Sequence, residues 1–400
     1  MRGEQDPHEQ GHSHAHGPSA GLREERRPPQ PDAVEVAPGV LRLQLEISLP
    51  GLGHVNCYAM TDEKGITLVD PGLPGPTALR DLTRRLRRAD LPIERVHTVV
   101  VTHSHPDHFG QAGVLRERHG ARVITHRNFR TWFDPDEEPE EISTDDIGAE
   151  PIATNARVAT SEESAGRGGG GRGPWSGNMP WGTTTSADHA ASRGRRRGGG
   201  PGRPPLRRRL QYMLMKRSGG LLGMVPRPTD RVEDADHLEL GGRRWVAMHT
   251  PGHTNDHLCL FDPDAGVLIS GDHVLPTITP HISGTGVIVD PLAEFFRSLE
   301  RVGELDGVRT VLPAHGLEFH DLAGRAEAIT RHHQERLQLL RDASADLGWA
   351  TVPQYSTYLF QERSYGQMAD SETYAHLEHL RLTGEAEVRD DGPELLYKVG

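Results

Sequence analysis

Residues 97–110, HTVVVTHSHPDHFG, constrain this chain more than any other stretch. The valine-rich run is too short for a buried helix and reads as an interior strand. It runs straight into His103, His105, Asp107 and His108, four metal-binding side chains within six residues. A buried strand that ends in so many polar groups delivers them to the rim of a sheet, where a rigid scaffold holds functional loops. His103 and His105, two apart in extended chain, face the same way, and Asp107 and His108 follow where the chain bends. Imidazole combined with carboxylate suits Zn, Fe or Mn. One turn cannot close two coordination spheres, so further ligands are expected at other strand ends.

Three other segments offer them. MHTPGHTNDH places His253 after the strand RRWVAM, VLISGDHVL places Asp272 at a strand end, and TVLPAHG does the same for His315. Each is a His or Asp beside Gly or Pro, and four such segments together outweigh the structural reading that a lone His would receive. His257, four residues after His253, reads as a structural hydrogen-bonder rather than a ligand, and His273 beside Asp272 stays open between the two.

The surrounding pattern is layered α/β. VLRLQLEI (40–47), VNCYAM (55–60), ITLVD (66–70), HTVVVTH (97–103) and ARVITH (121–126) read as strands, and 77–91 and 109–120 as helices. Further on, 237–250 and 258–272 read as hairpin pairs, 291–307 and 323–348 as helices, and 308–315 as a strand. The last 50 residues give two more helical stretches and a hairpin turning at Asp391-Gly392.

Two parts cannot supply a core. Residues 1–32 are polar, rich in Pro and Gly, and expected to be a disordered His-containing tail. Residues 135–209 are first acidic, then rich in Arg and Gly; 151–210 holds 11 Arg, no Lys and 13 Gly. This insertion is expected to be disordered, interrupting a domain of 33–320, with a helical domain at 321–400 beyond it. As a passive spacer it needs no function. It would otherwise bind nucleic acid by charge, or owe its bias to shifted reading of a GC-rich gene. LQYMLMKRSGGLLGMV (210–225) suggests a short helix and an apolar loop.

Composition narrows the class. The formal charge of −12 argues against a general nucleic-acid or membrane-surface binder. No run of about 18 apolar residues exists, so no transmembrane helix is expected, and the N-terminus has no apolar stretch like a secretory signal. Cys57 and Cys259 lie in apolar strand-like runs, which excludes a disulfide framework and fits buried thiols in a reducing cytoplasm.

Taken in order, HSHPDH, TPGHT, SGDH and LPAHG resemble the motif series of metallo-β-lactamase-fold hydrolases, and ITLVDPG with Asp70 resembles the family's first motif. The resemblance covers about 33–134 and 210–320. It implies a four-layer αββα sandwich. It assigns His103, His105 and His253 to one metal and Asp107, His108 and His315 to a second, with Asp272 bridging. Asp107 and Asp272 thereby sit at the reacting centre, and Asp70 orients a ligand imidazole from behind. Two divalent ions, Zn with Fe or Mn as alternatives, are the implied cofactors. Within the fold, the chain is similar to glyoxalase II-like proteins and, through TPGHTNDH and its helical tail, to lactamase-beta-like endoribonucleases with a small C-terminal winged-helix-like domain. It lacks a recognisable glutathione-binding C-terminal region, so the resemblance does not extend to a glutathione thioester.

A water held between two such ions loses its proton near neutral pH, so no protein nucleophile is needed. The implied activity is metal-dependent hydrolysis of a small ester, thioester or lactone by a hydroxide bridging the metals. The alternatives are a metal-dependent endoribonuclease and a non-catalytic metal-binding member of the fold. The poor phosphate surface of 371–400, with 7 acidic and 3 basic residues, disfavours the nuclease. A small-molecule substrate is expected, with no membrane partner. Loops around 54–58, 128–133 and 275–283 are expected to line the mouth, with Thr277 and His281 as candidate substrate contacts, loop packing being the alternative for each, and Trp132 and Phe133 as either an aromatic wall or core.

Overall fold

The computed structural model describes residues 23–49, 51–131, 179–181, 226–390 and 394–400. Seven strands form the first sheet in the order β1 (Val34–Ala37), β2 (Val40–Leu49), β3 (Leu52–Asp62), β4 (Gly65–Val69), β5 (Val96–Val100), β6 (Arg122–His126) and β7 (Asp230–Val232). β1 to β4 pair antiparallel, and β4 to β7 run parallel. The parallel part requires crossovers, supplied by α1 (Pro76–Arg88) and by α2 (Pro106–Phe109) with α3 (Ala112–His119). A second sheet is ordered β12 (Thr310–Pro313), β11 (Val267–Gly271), β10 (Leu258–Asp262), β9 (Arg243–His249) and β8 (His237–Leu240).

Period-two alternation sets the layers. Tyr58 and Met60 of β3 turn inward to meet Trp245, Leu258, Leu260, Val267 and Ile269 of the second sheet. Val55, Cys57 and Ala59 of the same strand turn outward and pack with Leu82 and Leu86 of α1 and Leu115 of α3. In the second sheet, Cys259, Leu268 and Val311 turn outward onto α4 (Pro291–Gly303) and α5 (Leu322–Leu347). Helices therefore cover the outer face of both sheets, and the chain is an αββα sandwich.

The region expected to be winged-helix-like holds α6 (Val352–Leu359), α7 (Gln367–Leu382) and a small antiparallel sheet of β13 (Ala350–Thr351), β15 (Leu396–Val399) and β14 (Ala386–Arg389). β13 has no signal in the sequence because two residues are too few for a period. Tyr355, Leu377, Leu380 and Tyr397 share one buried cluster with Phe295 and Leu299 of α4. The 321–400 region thus shares its core with the second sheet's helices.

Several expectations need correction. The disordered tail does not extend to residue 32: Glu24–Arg26 form a 3-10 turn whose Glu25 is fully buried. Its carboxylate accepts from the main chain of Thr277 and Ile278, which pins the turn to the body. Trp181, inside the expected disordered insertion, is 1% exposed and packs 5.0 Å from the Tyr374 ring. A large aromatic has enough apolar area to dock on the core, and Met179 packs against the same cluster. The rest of the insertion, the 210–225 stretch, Trp132, Phe133 and the Asp391-Gly392 turn lie outside the described residues. The 97–103 strand ends at Val100, and the helix expected at 109–120 starts only at Ala112 as α3, Phe109 belonging to the preceding turn α2. A Cβ at Gly110 would fall 2.1 Å from Pro74 N, so the 72–74 loop packs where any side chain at this position would lie. Among the described residues no helix is long and apolar enough to cross a membrane.

Trp245 is fully buried between the two sheets, whereas Leu339 on α5 is 45% exposed. Trp245→Ala is expected to lower unfolding free energy by about 3–5 kcal/mol, and Leu339→Ala by less than about 0.5 kcal/mol, measured by urea denaturation.

Candidate metal centre

The strand ends of both sheets meet along one edge of the sandwich. β5 leads into His103 and His105, and α2 presents Asp107 and His108 in its single turn. The loop after β9 brings His253, the end of β11 brings Asp272, and the end of β12 brings His315. All seven converge. His103, His105, His253 and Asp272 form one group, and Asp107, His108 and His315 a second, the ligand atoms in each lying within 4.8 Å of one another.

Asp272 stands between the groups. Its Oδ2 is 3.8, 3.5 and 3.7 Å from the Nε2 atoms of His103, His253 and His108, and its Oδ1 is 3.3 Å from His315 Nε2. Asp107 Oδ2 reaches His108 Nε2 and His315 Nε2 at 3.6 and 3.7 Å. Asp272 owes its position to its own main chain: its N–H donates to His257 Nε2 at 3.0 Å. That bond leaves His257 with its proton on Nδ1, facing the Thr250 hydroxyl at 2.7 Å. His257 is therefore a structural hydrogen-bonder. Gly271, with φ +52°, is required here because a Cβ would lie 2.6 Å from His257 Nε2.

The remaining imidazoles are oriented from behind. Asp70 Oδ2 lies 2.8 Å from His108 Nδ1 and also accepts from the Thr102 hydroxyl at 2.7 Å. Thr102 Oγ1 in turn faces His103 Nδ1 at 3.1 Å. His315 Nδ1 donates to the His54 carbonyl at 2.7 Å, and His253 Nδ1 to the His281 carbonyl at 2.6 Å. With Nδ1 committed in all four rings, their Nε2 atoms are turned toward Asp272 and the pocket.

This arrangement fits cations. His103 Nε2 and His253 Nε2 both face His105 Nδ1, at 3.0 and 3.2 Å. One N–H from His105 satisfies one of them at most, whereas a cation satisfies all three. His108 Nε2, His315 Nε2 and Asp272 Oδ1 are buried with no hydrogen-bond partner among the described residues.

The two groups hold protons oppositely. Burial, then the neighbouring imidazoles, push His103 and His105 well below the usual histidine range. Burial opposes protonation of His108 as well, but the carboxylates of Asp107, Asp70 and Asp272 override it and raise its pKa to about 10. His315 is raised against burial by Asp272 and Asp107. Burial would raise Asp272, yet His315 and His108 hold it well below the carboxylate range. The first group is thus already deprotonated at neutral pH, and the second must release protons to bind a cation.

A family model described as the Metallo-beta-lactamase superfamily matches residues 50–315. The chain belongs to that superfamily. Members commonly bind two metal ions, in agreement with the two ligand groups. Similar curated proteins include the lactamase-like protein vrtG of Penicillium aethiopicum, 32% identical over 117 residues, which is 29% of this chain and 35% of the relative. Another is the atrochrysone carboxyl ACP thioesterase AacuM of Aspergillus aculeatus, 30% identical over 91 residues, 23% of this chain and 27% of that protein. The chain spans about a third of the length of such relatives. Among solved structures, a metallo-beta-lactamase family protein from Thermus thermophilus gives a TM-score of 0.63 at 26% identity, over 92% of this chain and 100% of that one. A beta-lactamase domain protein from Burkholderia ambifaria gives 0.66 at 25% identity, over 94% and 96%.

The mouth of this lactamase-fold centre differs from the sequence expectation. Residues 54–58 are not a loop but the buried middle of β3, where Asn56 and Tyr58 donate to the Pro313 carbonyl at 2.7 and 2.6 Å and so position the His315 strand end. Phe129 is buried against Phe109. The Thr277 hydroxyl is taken up by Glu25 at 2.6 Å. His281 stands beside His253, and its Nδ1 faces Glu372 of α7 at 3.2 Å, with Arg336 of α5 paired to the same carboxylate. His273 is fully buried beside Phe295, 5.1 Å between rings, and belongs to neither ligand group.

Sequence reasoning did not single out Thr102, His54, Glu25, Glu372 or Asp256. Ser104, between two ligands, donates to Asp256 at 3.1 Å and ties the two ligand loops together, while burial raises Asp256 to about 6. Only Asp256, inside TPGHTNDH, carried a local signal.

Loading the metal-free protein with Zn at pH 7.5 is expected to release about one proton or more per chain, read by calorimetry in buffers of different ionisation heat. No buffer dependence would contradict the proton assignment at His108. Asp70→Asn is expected to weaken cation binding by about 10- to 100-fold in competition with a chromophoric chelator.

Proposed function

We propose that this protein is a dinuclear metal-dependent hydrolase of a small ester, thioester or lactone. The observation that carries the reading is Asp272, one carboxylate within 3.8 Å of ligand nitrogens from both groups, which suits two cations sharing a site. His103, His105 and His253 would hold one and Asp107, His108 and His315 the other, with Zn the ion best suited to that donor set. Bound there, the pair supplies Lewis acidity and a water that gives up its proton near neutral pH.

The chain's own residues do the rest. Asp70, His54 and the His281 carbonyl fix the imidazoles, so no reorganisation is required as charge develops. In this reading His281, beside His253, is the substrate-side residue, since the Thr277 hydroxyl is committed to Glu25. Neither cysteine serves as a nucleophile: both are buried, and burial pushes both thiols up, Cys259 to about 12. The superfamily is generally hydrolytic, and the likeness to a protein named as a thioesterase favours an acyl substrate. The Arg/Gly-rich stretch that would motivate a nuclease lies outside the described residues.

Chelation is expected to abolish hydrolysis of generic thioesters and lactones, and Zn or Mn to restore it. Asp272→Asn is expected to lower kcat/KM by about a hundredfold or more. Metal-loaded protein inert across an ester, thioester and lactone panel would overturn the proposal.

A further inference from the structure

A cleft of about 440 Å³ is lined by Arg26, Gly51, Leu52, Arg363 and Ser364. Its size is that of a small-ligand site, and it draws on three distant parts of the chain: the N-terminal 3-10 turn, the β2–β3 hairpin and the Glu362–Ser364 turn before α7. Both arginines are exposed. Among the described residues neither guanidinium has a carboxylate partner. Elsewhere Arg42 pairs with Glu318, Arg85 with Asp81, and Arg381 with Glu378. The acids beside Arg26 are turned away, Glu24 accepting from Leu317 N and Glu25 from Thr277.

The cleft is joined to the metal centre through His54. The His54 carbonyl accepts from His315, and its ring Nδ1 faces the Arg27 carbonyl at 2.9 Å. Gly53 packs on the same backbone, where a Cβ would lie 2.8 Å from Arg26 O and 2.3 Å from Arg27 O. Leu52, on the cleft wall, stands roughly 7 Å along β3 from His54. His54 therefore touches both the imidazole of a ligand, His315, and the main chain that carries Arg26.

We infer that this cleft binds an anionic group, phosphate or carboxylate, at the end of the substrate remote from the scissile bond. Two arginines lining one cleft offer the forked donors that such oxyanions accept, and with Leu52 as the one large apolar residue among those that line it the cleft favours a charged group over an aliphatic tail. The inference rests on the proposed hydrolase reading and names the substrate class within it: small thioesters or esters with a charged terminus.

The test uses the metal-loaded full chain and three matched, non-hydrolysable thioethers that end in a phosphate monoester, a carboxylate or a neutral amide. Calorimetry is expected to show the anionic ligands binding about tenfold or more tightly than the neutral one, and the phosphate and carboxylate arms tell which oxyanion is preferred. In the Arg26→Met, Arg363→Met double variant that preference is expected to collapse towards unity, with an unchanged Tm showing that the fold is intact. In the matched thioesters the same loss is expected in KM rather than kcat. Equal affinity for all three ligands in the parent protein, or an anion preference that survives in the double variant, would overturn the inference. Anion-selective binding without turnover of any thioester would retain the cleft and sink the hydrolase reading; turnover without charge preference would do the reverse.

Discussion

The Asp70 carboxylate organises the whole edge of the sandwich. Its Oδ1 accepts the Thr102 N–H at 2.8 Å, and its Oδ2 accepts both the Thr102 hydroxyl and His108 Nδ1. One side chain thereby orients His108 in the second ligand group directly and His103 in the first through Thr102. The residue holds φ at +55°, a left-handed conformation that Asp tolerates better than most residues. The strained position is maintained by Asp70 N–H donating to Val100 O, where β4 and β5 run side by side. Loss of the carboxylate would leave buried donors unsatisfied on both sides of the centre.

The second constraint is electrostatic. Five imidazoles and two carboxylates are packed at an edge where burial disfavours every charged form. The protein separates them into a neutral cluster of imidazoles and a cluster where carboxylates hold protons on His108 and His315. Two cations would resolve both halves at once, replacing the protons of one group and satisfying the facing lone pairs of the other. The metal-free pocket is poised for that exchange.

The mouth is assembled from parts remote in sequence. Glu25 anchors the 277–278 loop from the N-terminal side. Glu372 and Arg336 hold His281 from α7 and α5, and His281's carbonyl holds His253. The C-terminal helices are therefore mechanically coupled to a metal-facing imidazole. They also fill the core under the second sheet, so the same packing that stabilises the region sets the geometry of the centre.

The layered α/β pattern and the His and Asp residues beside strand ends were legible in the sequence, because alternating burial and residue chemistry are local properties of a chain, while the αββα order was implied by the resemblance those motifs carry. The valine run before His103 and the Gly-Asp of SGDH announce themselves within a few residues. What only the tertiary structure decided is which long-range partners complete each ligand. His54 behind His315, the His281 carbonyl behind His253, Glu25 on Thr277 and Trp181 on Tyr374 join positions separated by 28 to 261 residues. No periodicity or spacing encodes such pairs, because they exist only once two sheets have stacked and buried polar groups must find partners wherever the fold brings them.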